Sequence, residues 1–204
     1  MPFCRKCLIL CWFVCFGAYA QTPAILIFGD SLSAGYGLAR GAGWVDLLGK
    51  RLADQNYPHR LINASISGET SLGGKNRIAK VLAQNRPAIV VLELGANDGL
   101  RGYPIEQLRA NLEAIVRSSK RHGARVLLIG MRVPPNYGAR YARDFAQAFT
   151  VTAKQYNLPL VPFLMEGFAQ SREMFQSDGV HPGAQAQPMM LDTVWTRLEP
   201  MLKK

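Results

Sequence analysis

Short apolar runs alternate with longer amphipathic runs along most of this 204-residue chain. The most apolar short runs are residues 24–28 (AILIF), 88–94 (AIVVLEL) and 126–130 (VLLIG), and two weaker ones lie at 60–64 and 158–161. A strand without polar alternation is buried on both faces, as in a parallel sheet that helices cover on both sides. The alternation therefore predicts an α/β fold, a three-layer α/β/α sandwich around a five-stranded parallel sheet.

The segments between these runs have the apolar spacing of helices. Helices are predicted within residues 44–54, 77–84, 140–156 and 186–198, and another is predicted to begin at Pro104 and to stop near Gly123. Residues 134–138 (PPNYG) predict a loop. Ligands of such sheets bind at the carboxyl ends of the strands, so we expect chemistry in the loops that follow the strands.

The first twenty residues differ from the rest of the chain. Two basic residues precede an apolar run over 8–16, and residues 18–20 (AYA) have the small-x-small pattern of a signal peptidase site. We therefore predict a signal peptide over residues 1–20 and one domain over 21–204, located in the periplasm or secreted. An uncleaved membrane anchor is the alternative. All four cysteines lie in this segment, which leaves the mature domain without a thiol nucleophile or a cysteine metal site.

The chain is basic, with a formal charge of +10 that becomes +8 when Arg5 and Lys6 are removed with the signal peptide. A positive surplus favours contact with anionic surfaces such as phospholipid head groups. The basic residues are scattered and are not interleaved with aromatic residues, which favours a generally basic surface over a nucleic-acid site. We expect a monomer that contacts anionic lipid transiently and does not bind nucleic acid.

Residues 29–33 (GDSLS) directly follow the first predicted strand. Gly29 allows a sharp turn, and Ser31 is then presented at the carboxyl edge of the sheet near a helix N-terminus, where an N–H group can stabilise an oxyanion. The alternative is that Asp30 or Ser31 merely caps the following helix. This motif alone supports the two interpretations equally.

A nucleophilic serine needs a base, and the chain has three histidines. His59 precedes a predicted strand and so lies at the wrong edge of the sheet, while His122 lies near the end of a helix. His181, in residues 178–182 (DGVHP), follows the fifth predicted strand, and Asp178 can reach its second ring nitrogen as in serine triads. The alternative is a helix-capping aspartate beside an incidental surface histidine.

Two further segments offer oxyanion donors. Residues 95–98 (GAND) end the strand at 88–94 and place the amide of Asn97 at the carboxyl edge, and residues 67–70 (SGET) follow the second strand and offer the backbone N–H of Gly68. Ordinary turn chemistry is the alternative for both segments. Turn chemistry does not explain why all four candidate segments fall at one edge of one sheet.

In this order, the four segments resemble the signature blocks of the SGNH (GDSL) hydrolase superfamily. Further stretches at 31–37, 63–70, 94–100 and 135–138 resemble its periplasmic thioesterase I / lysophospholipase L1 / arylesterase branch. The resemblance implies Ser31 as nucleophile, His181 as base and Asp178 as its orienting partner. It implies the N–H groups of Ser31 and Gly68 and the side chain of Asn97 as oxyanion donors, no metal or organic cofactor, and a mobile loop around residues 73–76.

The expected function is hydrolysis of acyl esters and thioesters, including aryl esters and lysophospholipids, through an acyl-enzyme on Ser31. A carbohydrate or cell-wall O-acetyl esterase of the same superfamily is the nearest alternative. A non-catalytic flavodoxin-like module with Ser31 and Thr70 as phosphate ligands is another, although the loop after the first strand lacks a run of Ser, Thr and Gly donors. A catalytically inactive protein that binds anionic surfaces through its positive charge is the third.

Overall fold

The computed structural model describes residues 22–203, so the signal peptide predicted over residues 1–20 lies outside the described residues. The sheet has five strands in the order β2-β1-β3-β4-β5, and every neighbouring pair is parallel. The predicted α/β class with a five-stranded parallel sheet is therefore confirmed. The strands are β1 (Ala24–Gly29), β2 (Arg60–Asn63), β3 (Ile89–Glu93), β4 (Arg125–Ile129) and β5 (Leu160–Val161).

Helices pack on both faces of the sheet because the chain moves in both directions from β1, and right-handed crossovers in opposite directions lie on opposite faces. The helices α3, α5 and α6 pack side by side in one layer, and α2 packs with α7 in the other. The helices are α1 (Ser31–Ala34), α2 (Trp44–Asp54), α3 (Ser71–Asn85), α4 (Ala96–Leu100), α5 (Ile105–Arg121), α6 (Ala139–Tyr156) and α7 (Gln187–Leu202). None of the helices within residues 22–203 is both long and apolar enough to cross a bilayer.

The start of α3 corrects one expectation. Residues 73–76, expected as a mobile loop, lie within α3, which begins at Ser71. The side chain of Thr70 caps the helix by accepting from the N–H of Gly73 at 3.3 Å. Gly74 faces the core, where a Cβ atom would overlap Leu94. Gly74 therefore serves close packing against the sheet instead of loop formation.

Two other elements differ from the predicted bounds. The fifth strand, predicted over 158–161, is reduced to Leu160–Val161. The N–H of Leu158 donates to Ala153 at the end of α6, and Pro159 has no N–H to donate to a sheet ladder. The loop predicted over 134–138 contains a single 3₁₀ turn, Pro135–Tyr137.

The strand order creates a crevice at the carboxyl ends of β1 and β3. The chain leaves β1 toward β2 on one side and leaves β3 toward β4 on the other, which is the switch point where α/β sheets bind ligands. Both strands are completely buried along their length. The segments that follow them therefore begin from a rigid base in the core.

Candidate active site

Ser31 lies where β1 turns into α1. The Asp30 side chain caps α1, with its Oδ1 accepting from the N–H of Leu32 at 3.0 Å. Ser31 is the first residue of the helix, and 9 % of its surface is exposed. A helix cap and a nucleophilic serine are thus compatible in this motif. Asp30 supplies the cap, and the Ser31 hydroxyl remains available for other partners.

The Ser31 hydroxyl is hydrogen-bonded to His181, which is hydrogen-bonded to Asp178. The distance from His181 Nε2 to Ser31 Oγ is 2.9 Å, and from His181 Nδ1 to Asp178 Oδ2 it is 2.7 Å. Backbone N–H groups of His181 and Val180 and the His181 ring lower the pKa of Asp178 to about 2. The ionised carboxylate can only accept, so Nδ1 carries a proton and Nε2 is left to accept from Ser31.

The turn that carries His181 is held by hydrogen bonds more than by burial. The Arg172 guanidinium donates to the carbonyl groups of residues 175, 176 and 177. The N–H of Gln176 donates to the His181 carbonyl at 2.8 Å, and its side-chain amide donates to the Tyr36 carbonyl at 2.8 Å. The Tyr36 and His181 rings lie 4.6 Å apart between centroids. The turn is thereby fixed against the segment that follows Ser31.

Asn97 and Gly68 lie on the other side of Ser31. Asn97 Nδ2 donates to Asp30 Oδ2 at 3.1 Å and to the Glu69 carbonyl at 3.0 Å. These bonds hold the amide between the residue before Ser31 and the residue after Gly68. Gly68 is exposed and has a φ of 79°, a left-handed conformation that favours glycine and helps to set the direction of its N–H group.

A buried acidic pair underlies the nucleophile. Glu93, the last residue of β3, accepts from the Ser33 hydroxyl at 2.7 Å and from the Asp30 N–H at 3.3 Å. Desolvation and the charge of Asp30 raise the pKa of Glu93 well above its usual range, and desolvation raises the pKa of Asp30 to about 6. Burial therefore favours the protonated form of both carboxyl groups, and that of Glu93 more strongly. Gly29 is required here, because a Cβ atom would lie 2.5 Å from Glu93 Oε2.

A second buried network joins α3 to α4. Asp98 accepts from the backbone N–H of Ser71 at 2.8 Å and from its hydroxyl at 2.6 Å. Asn111 on α5 donates to the same hydroxyl at 3.1 Å. All three side chains are almost completely buried. The network holds the neighbouring Asn97 and the segment after Gly68 in a fixed relation.

The other two histidines and the larger surface groove lie away from this arrangement. His59 precedes β2 at the amino edge, and His122 follows α5, where its Nδ1 lies 2.9 Å from the Ser118 carbonyl. A small crevice beside Ser31 is lined by residues that include Leu38 and His181, whereas a larger groove lies between α5 and α6, away from the serine. Within residues 22–203, no three His, Cys, Asp or Glu side chains are grouped to hold a metal ion.

A comparison with known proteins agrees with this geometry. The model of the GDSL-like lipase/acylhydrolase family matches residues 27–187, which begin before Ser31 and end after His181. The chain belongs to the GDSL-like lipase/acylhydrolase family. A family relative, esterase TesA of Pseudomonas aeruginosa, is 49 % identical over 185 residues, 91 % of each chain.

Two other family relatives extend the comparison. Thioesterase 1/protease 1/lysophospholipase L1 of Escherichia coli is 39 % identical over 183 residues, which are 90 % of this chain and 86 % of the relative. The crystal structure of the psychrotrophic esterase EstA from Pseudoalteromonas sp. superposes with a TM-score of 0.84 at 41 % identity. The superposition covers 89 % of this chain and 99 % of EstA.

The structure brings together all five residues that the sequence singled out as catalytic or oxyanion-binding candidates. Ser31, His181 and Asp178 form one hydrogen-bonded chain, and Asn97 lies against Asp30 and the Gly68–Glu69 segment. Glu93, Arg172 and the Asp98 network were not predicted from the sequence. Glu93 had a visible signal, because it is the one charged residue in the otherwise apolar run 88–94. No sequence pattern pointed to Arg172, because its partners are backbone carbonyl groups, which every residue has.

Proposed function

We propose that this chain is a serine hydrolase that cleaves acyl esters and thioesters through an acyl-enzyme on Ser31. The observation that carries the proposal is the hydrogen-bonded chain from Ser31 Oγ through His181 to Asp178. Membership of the acylhydrolase family and the names of the relatives, an esterase and a thioesterase/lysophospholipase, support the substrate class. Aryl esters and lysophospholipids belong to the same proposed range.

Acylation uses the geometry around Ser31. His181 Nε2 accepts the hydroxyl proton as Ser31 Oγ bonds to the carbonyl carbon, and the carbonyl electrons move to its oxygen. The Asp178 carboxylate stabilises the imidazolium that forms and keeps the ring oriented. As the tetrahedral intermediate collapses, the bond to the leaving oxygen or sulfur breaks, and His181 returns the proton to the leaving alcohol or thiol.

Deacylation repeats the sequence with water as the nucleophile. His181 accepts a proton from water while the water oxygen bonds to the acyl carbon. The second tetrahedral intermediate expels Ser31 Oγ, which takes the proton from His181, and the carboxylic acid leaves. Each proton taken up by His181 is released in the same half-reaction, so the free enzyme is restored.

The oxyanion is held by the N–H groups of Ser31 and Gly68 and by the Asn97 side chain. Asn97 Nδ2 has two hydrogens, and both already have acceptors, Asp30 Oδ2 and the Glu69 carbonyl. An oxyanion must therefore share or displace one of them. An anionic oxygen is a stronger acceptor than a neutral carbonyl, so the bond to Glu69 is the one expected to yield.

The proposal extends to the setting of the enzyme. Residues 1–20 direct export, and the domain acts as a monomer in the periplasm or outside the cell. Its surplus of positive charge favours transient contact with anionic lipid.

The decisive test is Ser31→Ala, assayed with p-nitrophenyl esters and by labelling with a fluorophosphonate probe. We expect the variant to lose ester hydrolysis and labelling. The control variant Ser67→Ala, at an exposed serine, should keep both. Activity of Ser31→Ala close to that of the wild type would contradict the proposal. Absence of labelling in the wild type would favour an inactive binding protein.

A chain-length series separates the substrate classes. Rates are compared for acetyl, octanoyl and longer p-nitrophenyl esters, with matched acyl thioesters. We expect activity to persist or rise beyond the acetyl ester. A strong preference for acetyl would favour the carbohydrate or cell-wall O-acetyl esterase.

A further inference from the structure

The exposed large apolar side chains of residues 22–203 are confined to one edge of the sheet. Six such side chains are between 38 % and 54 % exposed, and all follow the carboxyl ends of β1, β2, β3 or β5. Single exposed apolar residues are ordinary, but their concentration around one site is not. We call this set the apolar rim: Tyr36, Ile66, Leu72, Leu100, Tyr103 and Val180.

Two rim residues adjoin the histidine. The Tyr36 ring lies 4.6 Å from the ring of His181. Val180 immediately precedes His181, and its N–H donates to Asp178 Oδ1 at 2.9 Å. The base is therefore bordered by an exposed aromatic and an exposed branched side chain.

The other four adjoin the oxyanion side. Leu100 and Tyr103 flank Arg101, whose guanidinium donates to the Gly68 carbonyl at 3.3 Å. Ile66 precedes Gly68 by two residues, and its N–H donates to Gly29 at 3.0 Å. Leu72 is the second residue of α3, next to the network of Asp98. The rim thus borders both sides of the nucleophile.

Exposed cations lie on or next to the segments that carry the rim residues. Arg40, Lys75 and Arg101 are exposed, and none has a carboxylate within ion-pair distance among the described residues. Of the carboxylates around these segments, Glu69 is paired with Arg77, Asp178 binds the His181 ring and two are buried, Asp30 and Asp98. Three others are exposed: Asp46, Glu106 and Glu173. The rim therefore presents exposed apolar side chains beside three cations that have no ion pair among the described residues, on a chain whose formal net charge is +10.

We infer that the apolar rim docks this protein on anionic lipid surfaces, with the Ser31 crevice facing the lipid. This inference rests on the proposed function. It adds that the enzyme takes its acyl substrate from the lipid surface. Tyrosines and leucines flanked by arginine and lysine suit the boundary between head groups and acyl chains. Shallow insertion with electrostatic attraction gives reversible binding, which lets the enzyme leave after hydrolysis.

The test measures binding separately from catalysis. The full mature Ser31→Ala protein is sedimented with vesicles of phosphatidylcholine alone and with vesicles containing roughly one third phosphatidylglycerol. We expect at least about ten-fold tighter binding to the anionic vesicles, weakened by salt. Because Ser31→Ala lacks the proposed nucleophile, a failure of the catalytic proposal shows in the wild-type rate and leaves this measurement unaffected.

Matched variants in the same background locate the surface. Arg40→Glu with Lys75→Glu removes charge from the rim, and Arg121→Glu with Lys154→Glu makes the same change in net charge at the amino edge, on exposed residues before β4 and β5. We expect the rim pair to lower binding by about ten-fold or more and the amino-edge pair by less than about three-fold. If both pairs lost the same amount of vesicle binding, the effect would come from net charge alone and the inference would be overturned.

A further variant replaces apolar rim residues by serine. Leu72→Ser with Leu100→Ser is expected to lower binding about five-fold at unchanged net charge, because less apolar surface enters the lipid. The single change Ile66→Ser should also lower vesicle binding and carries less risk to folding. Thermal melting checks that these variants are folded. Unchanged binding in both, or no binding of Ser31→Ala to anionic vesicles, overturns the inference.

Discussion

The two sides of the active site are built differently. The histidine side is a surface turn: the side chain of Asp178 is 39 % exposed, and Arg172 and Gln176 hold the turn through backbone carbonyls. The oxyanion side extends from the core, where Asp30 and Glu93 are completely buried. One aspartate has its pKa lowered to about 2 by N–H donors, and the other has its pKa raised to about 6 by desolvation.

This difference determines how each side should respond to mutation. Water can reach the partners of Asp178, so a lost acceptor there can be replaced by solvent. Water cannot readily replace the buried carboxylate of Asp30, so the orientation of Asn97 depends on that side chain. The following substitutions test the contrast, beginning with the largest expected effect.

Replacing Asp178 by Asn should be more damaging than replacing it by Ala. The N–H groups of Val180 and His181 hold Oδ1, so the amide oxygen of the new side chain takes that position and its amide nitrogen faces His181 Nδ1. The ring is then forced into the wrong tautomer, and kcat should fall by about 10³–10⁴. In Asp178→Ala, water accepts from Nδ1, and kcat should fall by only about 10–10². Equal rates for the two variants would contradict a solvent-accessible histidine side.

Asn97→Ala should lower kcat by about 10²–10³, the usual loss for one oxyanion donor, with little change in KM. Solvent should not restore this loss, because the replaced amide interacts with buried Asp30. Steady-state kinetics on p-nitrophenyl butyrate measure the effect, and the melting temperature serves as the folding control. A loss confined to KM would assign Asn97 to substrate binding instead.

Asp30→Asn should lower kcat by about 10–10², because the introduced side-chain amide would oppose the amide of Asn97 and displace it. If Asp30 acts by positioning Asn97, the double variant with Asn97→Ala should be no slower than Asn97→Ala alone. Additive losses would show that Asp30 acts independently. Glu93→Gln is the matched control, because Gln resembles a protonated glutamate, and its effect on kcat should be smaller.

Asp30→Asn also has a stability signature. The folded-state pKa of Asp30 is raised, so its contribution favours folding at low pH and is lost as the pH rises from about 4 through about 6. The free energy of unfolding of the wild type should therefore fall over this range more than that of Asp30→Asn. Chemical denaturation at several pH values measures the difference. Parallel pH profiles of the two proteins would contradict the burial of an ionised Asp30.

Arg172→Ala should have the smallest effect, a loss of kcat below about ten-fold. Its bonds to the carbonyls of residues 175–177 are exposed, so water replaces them at low cost, while the bond of Gln176 to His181 still closes the turn. Activity measured over a temperature series should show a loss that increases with temperature as the turn loosens. A loss as large as that of Asn97→Ala would mean that the turn depends on Arg172 alone.

The sequence predicts the parts of this molecule that depend on local pattern. The apolar run 88–94 predicts a buried strand, and the position of His181 after the fifth strand sets it apart from His59 and His122. The roles of Asp178 and Asp30 differ in how far they can be predicted from the sequence. Asp178 and His181 are three residues apart, whereas the pKa of Asp30 depends on burial and on Glu93, 63 residues away in the chain.

Other features escape prediction for related physical reasons. Nothing local distinguishes the packing glycine Gly74 from a loop glycine, because its contact with Leu94 forms only when α3 meets the sheet. The fifth strand is short because the hydrogen-bond partner of Leu158 lies in α6. These outcomes depend on tertiary contacts, which override the local preferences of the segment.

The turn that holds both Asp178 and His181 is largely held together by its own hydrogen bonds. The base His181 and its orienting carboxylate Asp178 lie on one surface segment, and bonds from Arg172 and Gln176 within the segment hold it together. We therefore expect this segment to tolerate sequence changes that keep its contacts with Tyr36 and Ser31. The serine side offers no such freedom, since any change there must be accommodated by the core.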